Sequence, residues 1–282
     1  MTIPKGEVVK ILKSVGCTVA NQAGGWKAAV PTWRPDLTRP IDLVEELARI
    51  YGYDKIPVTP PTILGNTPVI PFDRSAKLVV EQTLQGQGFF EAIHLSFLSK
   101  QQLLPFTAES HMVALENPLA ADQEVMRTSL IPSLLSALRH NLNRGCDLLR
   151  LYECRQVFLQ NSQGIYEEPR LAGLAVGHKQ PAHWQGDNAC SDFFLIKGVL
   201  HQMFVQLGVA ERIEMKAAKN QPDFLVPGAQ AQVFFNGTCL GSFGLLHPKV
   251  AKLWGLKQDI FVFELNWTPL ALAHQEKHLR FK

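Results

Sequence analysis

Between Arg34 and Arg49 the chain carries four carboxylates, Asp36, Asp42, Glu45 and Glu46, among three arginines. Acids at this density suit one of two tasks. They can hold a hard divalent cation, since magnesium needs only one or two carboxylates besides water. They can instead complement a helix dipole and pair with arginines three and four residues on. Asp42 shares a helical face with Glu46 and roughly with Glu45, and Asp36 lies just upstream, so a cation site is within reach. Glu45 and Glu46 diverge by about 100° around a helix, which keeps them from gripping one ion together. Glu45 and Glu46 also stand four and three residues before Arg49, and on spacing alone the structural reading is favoured.

A second constellation is basic. Arg127, Arg139, Arg144, Arg150 and Arg155 outnumber Asp147 and Glu153 in the same stretch. Arginine reads phosphate and carboxylate equally well, so the stretch is either a solvated helix face or a contact with a partner chain or with RNA backbone. His178 and His183 are five apart, interrupted by Pro181 and without a nearby third ligand, and read as loop residues rather than a metal site. His247-Pro248 reads as a turn into a short helix over 249–254.

The acids need a helix to position them. Pro40 fits the first turn, where its missing N–H costs nothing, and Asp36 or Thr38 is placed to accept from the orphan amides. Ile41, Val44, Leu47, Ala48 and Tyr51 form the expected apolar face, and Gly52 the stop. Before this come a helix over 5–15 with Val8, Ile11 and Leu12 on one side, and two short extended pieces around Gly24-Gly25. Residues 57–71 hold five prolines and a glycine without helical period, which predicts a linker.

Beyond the linker a helix is expected over 72–86 and a buried strand in FFEAIHLSFLS, residues 89–99. A leucine helix follows over about 129–144, with Pro132 in its first turn and Gly145 past its end. Residues 148–160 and 171–179 predict an antiparallel pair around NSQG. Residues 193–208 carry Ile196, Val199, Leu200, Met203, Phe204 and Leu207 at helical spacing. Asn236-Gly237 between AQVFF and TCLGSFGLL is a strong hairpin signal, and IFVFEL is a last strand. The fold class is therefore α+β: a small mixed domain, then an antiparallel sheet flanked by helices.

At 282 residues, 46% hydrophobic and 19% charged, the chain can bury two cores. A net charge of +3 excludes a molecule that sheathes nucleic acid, so any RNA contact must be local. Residues 1–57 carry eight Lys or Arg against six Asp or Glu, too balanced for duplex binding without a concentrated basic face. Five cysteines, at 17, 146, 154, 190 and 239, form no CxxC pair and are expected to be buried thiols of a reducing compartment. With neither a signal core nor 18 uninterrupted apolar residues, a soluble cytoplasmic protein with no membrane partner is expected.

The run RPDLTRPIDLVEELARIYGYDKIP, residues 34–57, resembles the B5 module of the phenylalanyl-tRNA synthetase beta chain, bacterial type. That resemblance implies magnesium at Asp36, Asp42, Glu45 and Glu46, in a site shared with the alpha chain. The later pieces are LENPLAADQEVMRTSLIPSLLSALRHNLNRG, LYECRQVF, DFFLIKG, VPGAQAQVFFNGTCLGSFGLLHP and FVFELNWTPL. In this order they resemble the catalytic-like B6–B7 module of the same beta chain, itself similar to the class II aminoacyl-tRNA synthetase fold. The implied domains are 1–66, B5 with linker, and 67–282, catalytic-like.

Class II enzymes hold ATP phosphates with arginines aimed at the developing charge. Here LYECRQVF supplies Arg150, Glu153 and Arg155 where such enzymes carry an Arg-x-Glu pair. The closing FELNWTPLALA has Glu264 with no arginine after it, and the glycine-rich approach is absent. The resemblance therefore implies no catalytic residue in this chain, with ATP used by the holoenzyme but bound elsewhere. It implies as partners the alpha chain, in an alpha2-beta2 assembly, and tRNA(Phe), with docking expected on the apolar parts of the helices at 72–86 and 129–144. Because Met1 directly precedes the B5 segment, the chain is expected to be an excised fragment, without editing or anticodon-binding modules. The alternatives are a free-standing class II enzyme, disfavoured by the missing arginine, and a nucleic-acid-binding module acting through residues 1–57.

Overall fold

The computed structural model describes residues 2–59, 72–120, 122–181, 184, 189–217 and 222–279. The chain divides into two compact units, Met1–Pro68 and Val69–Lys282. Most of the proline-rich stretch expected to be a linker lies outside the described residues.

The first unit comprises helix α1 (Lys5–Ser14), an antiparallel pair of strands β1 (Thr18–Gln22) and β2 (Gly25–Ala29), and helix α2 (Pro40–Tyr51). Its core is Val8, Leu12, Val15, Cys17 and Leu37, against which Leu43 and Leu47 of α2 pack. The chain can turn at Gly16 only because glycine tolerates a φ of +89°; a Cβ there would lie 2.4 Å from the Trp33 ring. Two details of α2 differ from the sequence expectation. Ile41 and Val44 face outward, 59% and 53% exposed. Apolar residues at 41, 43, 44, 47, 48, 50 and 51 surround most of the helix, so its period fits more than one inward face. Nor is α2 capped by Asp36 or Thr38. Arg39 is the N-cap residue, and Asp42 reaches back one turn so that its Oδ2 accepts from the Thr38 and Arg39 amides at 2.9 and 2.7 Å.

The second unit runs through α3 (Phe72–Gly86), β3 (Phe90–Glu91), β4 (Phe97–Leu98), α4 (Lys100–Leu103), β5 (Val125–Met126) and α5 (Ile131–Leu142). It continues with β6 (Leu149–Asn161), β7 (Gly164–Val176), α6 (Phe193–Leu207), β8 (Ile213–Lys216) and β9 (Leu225–Phe235). It closes with β10 (Thr238–Leu246), α7 (Pro248–Ala251), β11 (Phe261–Asn266) and α8 (Thr268–Leu279). Seven strands form one sheet in the order β3-β6-β7-β11-β10-β9-β8, antiparallel at every step except β3 with β6. The fold is mixed α and β with a mostly antiparallel sheet.

Side chains alternate across this sheet. Leu171, Ala175, Phe261, Phe263 and Leu265 join residues of α3, α6 and α8 in one buried cluster. Ala172, Leu174, Val176 and Val262 join α5 and the 250–256 segment in another. Burying one such leucine contributes about 1.5–3 kcal/mol, and both faces of the sheet are lined this way. Local signals explain the boundaries. Asp192 caps α6 by accepting from the Leu195 amide at 2.7 Å, and Gly208 stops it at φ +73°. Asn236 and Gly237, at φ 48° and 81°, make the left-handed two-residue turn that joins β9 to β10.

Two further expectations are corrected. The segment 89–99 is not one buried strand but two two-residue strands on different partners, with Phe90, Ile93 and Leu95 about two-thirds exposed. A run this apolar meets the strand pattern, yet within it only Phe89 and Leu98 are fully buried, with Ala92 packed at the edge of a core. The cysteines are not all buried: Cys17 and Cys154 are, while Cys146, Cys190 and Cys239 are exposed. Of the exposed three, Cys146 follows the turn at Gly145 and Cys239 lies next to the β9–β10 turn, where neighbours are few.

Candidate functional site

In the acidic turn the four predicted ligands have separate fates. Arg34 Nε donates to both oxygens of Asp36 at 3.0 and 3.1 Å, and its Nη2 donates to Asp36 Oδ2 at 2.6 Å. The same guanidinium reaches Glu46, with Nη1 3.4 Å from Oε2 and Nη2 3.4 Å from Oε1. Arg49 closes on Glu46 from the other side, Nε to Oε1 at 3.2 Å and Nη2 to Oε2 at 2.7 Å. Glu46 is buried although charged, which only such pairing permits. Asp42 is turned to the backbone, and Glu45 is exposed and in no ion pair among the described residues.

The electrostatics follow the contacts. The Arg34 guanidinium holds the Asp36 carboxyl below the usual range. Arg49 and then Arg34 do the same for Glu46, and the Arg39 amide does so for Asp42. As a donor set for magnesium the four acids do not fit in this arrangement. The two that converge, Asp36 and Glu46, converge on Arg34, and among the described residues no group of three His, Cys, Asp or Glu side chains is arranged to hold a metal ion. His178 Nδ1 lies 4.0 Å from Cys190 Sγ, and His183 falls outside the described residues.

On the large sheet the arginines are turned inward. Arg127 Nη1 donates to Glu153 Oε1 at 2.7 Å and its Nε to the Gln156 carbonyl at 3.1 Å. His94 Nδ1 lies 2.6 Å from the other oxygen of Glu153, which is fully buried. Arg150 donates to the carbonyls of Gln87, at 2.6 Å, and Lys179. Arg155 is half-buried, and Arg139 and Arg144 are exposed, so the basic stretch does not form one surface.

A groove of about 310 Å³ opens on β7, β10 and β11, lined by Glu168, Arg170, Ser242, Glu264 and Asn266 with Phe106 and Phe224. Arg170 Nη1 meets Glu264 Oε2 at 3.1 Å, and Nη2 meets Glu168 Oε2 at 2.9 Å. Burial opposes charge on Arg170, but the two carboxylates outweigh it and leave the guanidinium firmly protonated. The other oxygen of Glu264 accepts from Ser129 Oγ at 3.0 Å and from the Leu130 amide at 2.7 Å, capping α5 from a neighbouring strand. Chemically the groove is a set of ion pairs, and its lining arginine among the described residues, Arg170, is engaged with carboxylates rather than free to meet a phosphate.

The sequence reading missed Arg170 and Glu168, which stand in a strand that carries no motif, and it missed His94 as a partner of Glu153. The docking stripes expected on the helices at 72–86 and 129–144 are mostly turned into the chain's own core. The apolar residues of α5 are buried in the chain's own core, and α3 turns Ala76, Val80 and Leu84 inward, leaving Leu78 exposed. Between these helices Phe90, Ile93 and Leu95 are left in water, as are Leu104 and Leu119.

Comparison with known proteins places these features. Residues 56–267 match the family model described as phenylalanyl tRNA synthetase beta chain CLM domain, and residues 1–53 match the tRNA synthetase B5 domain. A phenylalanine–tRNA ligase beta subunit of Pseudomonas fluorescens is 34% identical over 278 residues, 98% of this chain and 35% of the relative. Those of Bacillus subtilis and Geobacillus kaustophilus are 33% and 35% identical over 97% and 96% of this chain, and 34% of each relative. The chain spans about a third of the length of the curated relatives it matches. Among solved structures, a pyrrolysyl tRNA synthetase of Desulfitobacterium hafniense superposes with a TM-score of 0.56 at 14% identity, over 98% of this chain and 90% of that one. At that identity the likeness speaks for the fold alone.

Proposed function

The chain belongs to the phenylalanyl tRNA synthetase beta chain family, and we propose that it is a non-catalytic beta-subunit portion of a phenylalanine-tRNA ligase. In this reading it docks the catalytic alpha chain in an alpha2-beta2 assembly in the cytoplasm. It thereby supports ATP-dependent attachment of phenylalanine to tRNA(Phe) without binding ATP itself. The second unit is read as a class II synthetase module that has kept its sheet and lost its phosphate grip.

The observation that carries this reading is the state of the arginines on the sheet. Phosphoryl and adenylyl chemistry needs guanidiniums preorganised toward developing negative charge. Arg127, Arg150 and Arg170 are each bonded to the chain's own carboxylates or carbonyls instead. A charged hydrogen bond already made to a buried carboxylate is not released to a substrate without leaving that carboxylate unpaired.

The docking surface favoured here is the segment carrying Phe90, Ile93 and Leu95, because such residues gain by leaving water at an interface. Association with purified alpha subunit tests the reading. Micromolar binding by the full chain, weakened at least tenfold by Ile93→Glu together with Leu95→Glu, supports it. No association at that concentration contradicts it.

Magnesium belongs to the same proposal in a restricted form. Asp36, Asp42, Glu45 and Glu46 are proposed as ligands only in the assembled enzyme, with the alpha chain supplying others. The ion then competes with Arg34 for the oxygens of Asp36 and Glu46.

A further inference from the structure

Asp36 and Glu46 lie ten residues apart, one in the turn before α2 and one in its second half, and they meet on one side chain. Three bonds run from Arg34 to Asp36, and both terminal nitrogens of Arg34 lie 3.4 Å from Glu46. A guanidinium in this position does what a bound cation does. It neutralises two carboxylates that would repel each other, and it fixes the turn to the helix through a planar fork. Arg49 completes the neutralisation of Glu46, which is buried and cannot remain charged without partners.

We infer that Arg34 is the resident cation of this acidic turn, so that the first unit holds its α2 junction without any divalent ion and takes one up only when Arg34 is displaced. The inference rests on the restricted magnesium reading above only for the second clause. Whether the chain docks an alpha subunit is independent of it. Asp42 does not compete for the place, since its Oδ2 is spent on the Thr38 and Arg39 amides. Glu45 lies about 100° away from Glu46 around the helix, and no ion pair joins it to the cluster among the described residues.

The test uses the full chain, labelled with ¹⁵N, and Mn²⁺ as the probe. Selective broadening of the backbone amides of residues 34–46 reports an ion at the turn. For the natural sequence the expected result is no selective broadening at 1 mM Mn²⁺, an order-of-magnitude choice well above the affinity of a good carboxylate cage. Arg34→Gln frees Asp36 and Glu46, and the same amides should then broaden at a tenfold lower concentration. Selective broadening in the natural chain at or below the first concentration, on the order of 1 mM, overturns the inference, and so does an Arg34→Gln chain that behaves like the natural one. Should Arg34→Gln lose the dispersed amide signals of the first unit, Arg34→Lys replaces it. That variant keeps one charge but not the fork, and should fold and respond to Mn²⁺ at a concentration between the other two. A Lys variant that matches the natural chain contradicts the inference.

Discussion

Arg170 and Glu264 meet across neighbouring strands, Nη1 to Oε2 at 3.1 Å, and the contact seals the sheet surface on which a guanidinium would otherwise lie open. Glu264 serves two masters, since its other oxygen caps α5 at the Leu130 amide. Glu264→Ala should therefore remove a cap and leave Arg170 with Glu168 as its one carboxylate partner among the described residues. A loss of about 2–4 kcal/mol is expected, read as a lower urea midpoint with an unchanged slope. Glu264→Gln keeps an acceptor for Leu130 and should cost less than half as much.

Glu153 makes the fold acid-sensitive. Burial alone would raise its carboxyl, but the His94 hydrogen bond and the Arg127 charge bring it below the ordinary 4.5. A carboxyl depressed on folding stabilises the native state above its unfolded value, and that stabilisation is lost as pH falls through the folded one. The second unit should thus weaken below about pH 4.5, and Glu153→Gln should flatten that decline while lowering stability at pH 7. Arg127→Ala should cost about 3–5 kcal/mol by stranding a buried charge. Arg127→Met with Glu153→Leu should recover most of it. A chemical-denaturation series at pH 3 to 7 on each variant checks both statements.

The thiols divide by burial rather than by motif. Burial pushes Cys154 up to about 12, far from the thiolate range. In native protein a disulfide-exchange reagent at pH 8 should titrate Cys146, Cys190 and Cys239 promptly. Cys17 and Cys154 should react only after denaturant is added. Five equally fast thiols would contradict this.

Much of the fold is legible in the residues because its signals are local. The six apolar positions of α6, the Asn236-Gly237 turn and Pro40 at the head of α2 each depend on neighbours within a few residues. What was misread depends on distant ones. The inward face of α2 is chosen by Leu37 and α1, and its cap by Asp42 rather than by the residues before it. The fate of segment 89–99 is decided by two distant partners, β6 for Phe90–Glu91 and β5 for Phe97–Leu98. Glu153 reads as a motif residue, yet its partners lie 59 and 26 residues away. The acidic turn shows the same limit, because spacing gives the density of carboxylates but not that Arg34 folds back between two of them.

We propose that this sheet does not activate an amino acid because Arg127, Arg150 and Arg170 are already engaged. Phenylalanine-dependent exchange of pyrophosphate into ATP, measured on the full chain alone and again with added alpha subunit, tests it most directly. No exchange above background is expected from the chain alone, with exchange appearing only when the alpha subunit is present. Robust phenylalanine-dependent exchange by the chain alone would contradict it.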